Sequence, residues 1–213
     1  MSFRCQHFQV FKAGKPLFQP LSFELNKGEL LAIMGPSGVG KSSLLSAIAG
    51  TLDPVFCCQG KATLNGQNLL NLPLRQRQVG LMFQDDLLFP HFNVGQNLAF
   101  ALSPSLSKGQ RQQRIETALA FAELEGFAAR DITTLSGGQR ARVSLLRTLL
   151  AEPKLLLLDE PYAKLDKSLK DNFGQFVLDH IQHANVPAIL VSHDVDDAKG
   201  WPIVELTSPS PTY

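Results

Sequence analysis

Two segments of this chain place residues at spacings suited to phosphate chemistry. Gly35-Pro36-Ser37-Gly38-Val39-Gly40-Lys41-Ser42 fits the pattern Gly-x4-Gly-Lys-Ser/Thr and follows the apolar run Leu30-Leu31-Ala32-Ile33-Met34. A strand delivers the chain to such a loop, the glycines let backbone N–H groups converge on phosphate oxygens, and a helix starting near Lys41 aims its positive dipole end there. Lys41 is expected to reach the β- and γ-phosphates of a nucleoside triphosphate, Ser42 to ligate Mg2+, and Ser43 belongs to the same binding set. The second segment, Leu155-Leu156-Leu157-Leu158-Asp159-Glu160, is an apolar run ending in two carboxylates. It puts Asp159 at the carboxyl end of a buried strand, the edge at which such sheets bind ligands. Asp159 is expected to hold Mg2+ through water, and Glu160 to orient or deprotonate an attacking water.

A third element, Leu135-Ser136-Gly137-Gly138-Gln139, precedes a helical pattern with Val143, Leu146 and Leu150 on one face. Ser136 and the glycine amides can form a second anion site at a helix N-terminus, although a simple helix cap would use the same residues. One chain with two phosphate-binding elements and a single set of nucleotide motifs invites a dimer in which each copy completes the other's site.

These residues need a scaffold. Apolar runs at 30–34, 79–83, 155–158 and 188–191, with helical patterns between several of them, predict a mainly parallel sheet covered by helices. Residues 3–25 alternate apolar and polar around Gly14 and Pro16, and Leu64-Asn65-Gly66-Gln67 is a hairpin signal, so an antiparallel edge sheet is expected beside the core. Between Phe89 and Leu135 strand signals stop. Asn93-Val94-Gly95-Gln96 reads as a capping-box start and Gln110 to Phe127 has helical spacing, which predicts an inserted helical lobe. The organisation is one α/β domain: 1–84 and 136–207 as core with β edge, 85–135 as helical subdomain, and 208–213 as an unstructured tail.

Composition limits the alternatives. The chain has 213 residues, enough for one substantial domain, and a net charge of +1 that offers no global field for nucleic acid or anionic lipid. Cys5, Cys57 and Cys58 lack metal-ligand spacing, which fits a reducing compartment. No stretch approaches the roughly 18 apolar residues of a membrane span, and residues 1–10 do not read as a secretory signal.

The motifs at 35–42, 135–139 and 155–161, in this order, make the chain resemble the nucleotide-binding subunit of ATP-binding cassette (ABC) transporters, from about Phe3 to His193. That resemblance implies a P-loop NTPase fold of ABC type, ATP and Mg2+ as ligands, and two ATP molecules in a head-to-tail homodimer. Ser136, Gly138 and Gln139 would contact the γ-phosphate of the ATP held by the partner. Gln84 would match the glutamine that senses Mg2+ and the γ-phosphate, His193 the switch histidine, and Asp166 the loop coupling the two sites. Adenine would stack on an aromatic residue near the N-terminus, for which Phe11 and Phe8 are candidates. Ala163 stands where many members carry Ser, so one hydroxyl contact across the dimer would be missing.

Residues 83–94 resemble the region of binding-protein-dependent importers that receives a coupling helix of the permease, making Leu88, Phe89 and Pro90 a partner surface. The wording at 76–80 and 94–98 is similar to small YnjD-type ATPases. The resemblance implies a peripheral subunit on the cytoplasmic face of the inner membrane, working with permease subunits and, indirectly, a periplasmic binding protein. An exporter or lipoprotein-release ATPase is the alternative, and a soluble ATPase acting on nucleic acid is a more distant one. After His193 only Ile203-Val204-Glu205-Leu206 reads as a further strand.

Overall fold

Every residue of β4 (Leu30–Met34), β8 (Leu155–Asp159) and β9 (Ala188–Ser192) is buried, the signature of strands covered on both faces. The computed structural model describes residues 2–163, 165, 167–198 and 200–209. In it these strands join β7 (Val79–Met82) and β10 (Ile203–Glu205) in a parallel sheet of order β10-β4-β9-β8-β7. Leu190 is the registered partner of both Ala32 and Leu158. Successive side chains point to opposite faces, so the sheet feeds two cores: Leu156, Leu158 and Leu190 enter one, and Leu155, Leu157 and Ile189 the other.

The second of these cores is closed by α1 (Lys41–Ala49) and by an antiparallel sheet. That sheet runs in the order β2 (Lys15–Pro16), β1 (Ser2–Lys12), β5 (Phe56–Leu64) and β6 (Gln67–Asn68), with β3 (Leu21–Asn26) also paired to β1. Its hairpins follow turn chemistry: Ala13 and Gly14 link β1 to β2, while Asn65 and Gly66, at φ 51° and 83°, link β5 to β6.

The first core is closed by α2 (Val94–Ala99), α3 (Lys108–Phe121), α4 (Gly137–Leu150) and α5 (Lys167–Ala184). Reciprocal capping boxes start three of these helices: Asn93 with Gln96, Ser107 with Gln110, and Ser136 with Gln139. The helix expected over 110–127 instead begins at Lys108 and stops at Phe121. Glu123 takes φ 57° and the Leu124 N–H bonds back to the Leu119 carbonyl at 2.8 Å, closing the helix. Leu124 and Phe127 still pack inward, so the apolar spacing continues past the helix that it predicts.

Beyond β9, a short turn at Val195–Ala198 leads to β10, which pairs with β4, so the single strand expected near the C-terminus adds an edge to the parallel sheet. The three cysteines are free. Among the described residues no helix is long and apolar enough to cross a membrane. Asp166 and residues 210–213 lie outside the described residues.

Candidate nucleotide site

The loop between β4 and α1 is shaped by close approaches that a side chain would block. A Cβ at Gly35 would lie 2.7 Å from the Leu206 carbonyl oxygen, and Gly40, at φ 107°, has Leu17 and Phe18 3.1 Å from where its Cβ would be. Lys41 heads α1 but turns back over the loop: its Nζ donates to the carbonyls of Gly35 at 2.8 Å and Pro36 at 3.1 Å. The Ser42 hydroxyl donates to Asp159 Oδ1 at 3.0 Å, joining the start of α1 to the end of β8. Burial pushes the Asp159 carboxyl above its ordinary value, and the Ser42 hydroxyl partly offsets this.

Glu160 leaves β8 in a left-handed conformation, φ 45°, with its N–H bonded to the Val191 carbonyl at 3.0 Å. This sharp turn sends the carboxylate toward the loop. Its Oε1 lies 4.0 Å from Lys41 Nζ and 3.1 Å from His193 Nδ1, which follows β9. Gln84, two residues beyond β7, lines a cavity of about 350 Å3 with Ser37, Gly38, Gly40, Lys41, Ser42, Ser43 and Glu160. Residues spread over most of the sequence are therefore gathered at the carboxyl edge of one parallel sheet. The arrangement offers amides, a hydroxyl and an ammonium to a polyphosphate, and two carboxylates to a cation or a water beside it.

Ser136, Gly138 and Gln139 are elsewhere. They line a separate cavity of about 200 Å3 with Arg142, Leu165 and Phe173, and none of them lines the cavity around Lys41. Within their capping box, the Ser136 hydroxyl accepts the Gln139 N–H at 3.3 Å and Gln139 Oε1 accepts the Ser136 N–H at 3.0 Å.

Two expected surface residues are corrected by the structure. Phe8 is 0% exposed inside the core, so its ring has no face for adenine, whereas Phe11 on the same strand is half-buried. Leu88 also points into the core, leaving Phe89 and Pro90 nearer the surface. Phe89 packs edge-on against Phe100 at 4.8 Å and Phe92 at 5.5 Å, beside the exposed Leu87. Buried Asn97 shapes this patch, accepting the Phe89 N–H at 2.8 Å and donating to the carbonyls of Phe89, Phe92 and Asn93.

Other supporting residues carry no sequence signal. Arg77 donates to the carbonyls of Ala47 at 2.7 Å and Ile48 at 2.9 Å, closing the C-terminus of the helix that begins with Lys41. Asp86, just after Gln84, bonds the Arg140 guanidinium of α4 at 3.0 Å, and its carbonyl accepts from Ser144 and Arg147. Such partners are distant in sequence and belong to no local pattern.

Comparison with known proteins agrees with this geometry. Residues 18–163 match the family model described as ABC transporter. The chain is 48% identical over 181 residues to the uncharacterized ABC transporter ATP-binding protein YnjD of Escherichia coli K12, covering 85% of this chain and 83% of that one. It is 40% identical over 186 residues to the putrescine transport ATP-binding protein PotG of the same organism, covering 87% of this chain and 48% of PotG. Its fold superposes with a TM-score of 0.79, at 27% identity and over 96% of this chain and 94% of the other, on the dimeric post-hydrolysis state of the ATP-binding cassette MJ0796 bound to ADP and Pi. With its phosphate loop, paired carboxylates and separate Ser136 element on this fold, the chain belongs to the ABC transporter family and is its ATP-binding, ATP-hydrolysing cassette.

Proposed function

We propose that this ATPase is the energy-coupling subunit of a binding-protein-dependent importer, working as a homodimer with two shared ATP sites. The observation that carries the shared-site reading is the separation of Ser136, Gly138 and Gln139 from the cavity of their own chain. They present a capped helix N-terminus suited to meet the γ-phosphate of ATP held by a second copy. The MJ0796 cassette, itself a dimer bound to ADP and Pi, supports this arrangement.

Within each site, the loop 35–40, Lys41, Ser42 and Ser43 hold the phosphates, and Phe11 stacks on adenine. The Ser42 hydroxyl, the Asp159 carboxylate and the Gln84 amide supply the hard oxygen donors that suit Mg2+, whose chemistry is to neutralise charge on the β- and γ-phosphates. Glu160 orients and accepts a proton from the attacking water, and His193 holds the γ-phosphate side of the cavity. ATP closes the dimer and hydrolysis reopens it.

The aromatic patch of Phe89, Phe92 and Phe100, with Leu87 and Pro90, receives the permease and keeps the subunit at the cytoplasmic face of the inner membrane. The names of the Fe(3+) ions import and sulfate/thiosulfate import relatives favour import over export.

The test is the mass of the Glu160→Gln variant in solution, by size-exclusion chromatography with light scattering, with and without ATP in the absence of Mg2+. ATP should convert monomer to dimer, and Ser136→Arg should prevent it. A variant that binds ATP yet remains monomeric would overturn the shared-site reading for the isolated subunit.

A further inference from the structure

The segment carrying His193 is held from behind. Lys170, in the first turn of α5, donates to Asp194 Oδ2 at 2.8 Å and to Asp197 Oδ1 at 2.9 Å. The other oxygen of Asp197 accepts the Ser192 hydroxyl at 2.6 Å, and that hydroxyl oxygen accepts the Asp194 N–H at 3.1 Å. Ser192 and Asp194 are the chain neighbours of His193 on either side. One ammonium therefore ties down both flanks of the histidine.

The imidazole needs that support. Its side chain is 53% exposed, so apart from its hydrogen bond to Glu160 its position follows from the backbone on either side. Asp197 is only 6% exposed, and a polar group so placed needs the partners that Lys170 and Ser192 supply. The hydrogen bond to Lys170 draws Asp194 below the ordinary carboxylate value, and Lys170 is itself raised, first by that bond. The Lys170–Asp194 pair thus favours its charged form on both sides.

We propose that Lys170 is a positioning residue for ATP hydrolysis, holding His193 at Glu160 by clasping Asp194 and Asp197. The inference rests on the roles given above to His193 and Glu160. Its further consequence is mechanical. Lys170 lies near the start of α5 (Lys167–Ala184), so any displacement of that end of the helix reaches the histidine through the Lys170 ammonium.

Steady-state ATPase kinetics of Lys170→Met, Lys170→Arg, His193→Ala and the Lys170→Met/His193→Ala double variant test it. Met keeps the stem and removes the charge. Lys170→Met should lower kcat by about tenfold, which corresponds to ~1.4 kcal/mol of transition-state stabilisation, while KM for Mg-ATP stays within about twofold. Lys170→Arg should retain most of the activity. In the His193→Ala background, Lys170→Met should have no further effect, because the two residues act as one unit.

Since Lys170→Met leaves Asp197 without its cation, Lys170→Met/Asp197→Asn provides a variant with neither charge, in which melting should recover while kcat stays low. Wild-type kcat in Lys170→Met, or a full additional loss on top of His193→Ala, overturns the clasp. Unchanged turnover in His193→Ala overturns the role of the histidine itself, and the clasp with it. Lowered turnover in His193→Ala beside wild-type turnover in Lys170→Met removes the clasp alone.

Discussion

His193 Nδ1 lies 3.1 Å from Oε1 of Glu160, the same oxygen that sits 4.0 Å from the Lys41 ammonium. A carboxylate flanked in this way is oriented before any water arrives, which is what a general base requires. Replacing Glu160 with Gln keeps the shape and removes the basicity. Turnover should fall by about 10²- to 10⁴-fold with ATP affinity retained, measured by phosphate release and by nucleotide titration. Turnover near wild type would assign the base elsewhere.

Lys41 is 5% exposed and bonded to two carbonyls of the loop it serves. Its removal should abolish nucleotide-dependent stabilisation. For the unaltered chain, Mg-ATP at a hundred times its dissociation constant should add about 2.7 kcal/mol to the unfolding free energy, and Lys41→Ala should show no comparable rise in a thermal melt.

The Asp159 carboxyl is raised, chiefly by burial. A carboxyl whose pKa is higher folded than unfolded binds its proton more tightly in the folded state. Its contribution is fully present below the ordinary carboxylate value and is lost as pH rises through the raised one. At neutral pH the charge is therefore a cost to the protein without ligand. Asp159→Asn should raise the melting midpoint near pH 7, with little difference from wild type in strong acid, while Mg2+-dependent turnover is lost. A lower midpoint near pH 7 would contradict the burial argument.

Tyr162, 2% exposed, has a buried hydroxyl with no hydrogen-bond partner among the described residues. Its ring packs edge-on against Phe173 at 5.7 Å. Tyr162→Phe keeps the ring and removes the unsatisfied group, so it should stabilise the fold by about 1 kcal/mol, a rise of roughly 2–4 °C in melting midpoint. A fall in midpoint would reveal a partner for the hydroxyl.

The Arg77 guanidinium closes the end of α1 through the carbonyls of Ala47 and Ile48. Arg77→Ala leaves those acceptors unpaired at a partly buried site and should cost about 1–3 kcal/mol in denaturant unfolding, and Arg77→Lys should recover only part of this.

Much of this architecture is legible in the sequence, for a reason visible at Leu155–Asp159. A strand buried on both faces must be apolar throughout, and a strand that ends at a ligand edge turns polar there, so both facts show in five consecutive letters. The capping pairs Asn93 with Gln96 and Ser136 with Gln139 are equally local. Less is legible where contacts span the chain. Nothing near Lys170 in sequence points to Asp194, and nothing near Asp86 points to Arg140. Leu88 as a partner contact and Phe8 as an adenine candidate fail for a related reason: an apolar residue in a loop or an edge strand reads alike whether it faces solvent or core, and only the packing decides.

The bonds from Asp86 and Leu87 to Arg140, Ser144 and Arg147 span much of one face of α4, whose first residue follows Ser136. A 14-residue helix is a strut about 21 Å long, far stiffer along its axis than the loops at its ends. Riveted to it at several points, the segment from Asp86 onward cannot slide without carrying the strut along. A push applied to the aromatic patch would then reach Ser136 chiefly as rigid-body displacement of the helix, with little lost to bending.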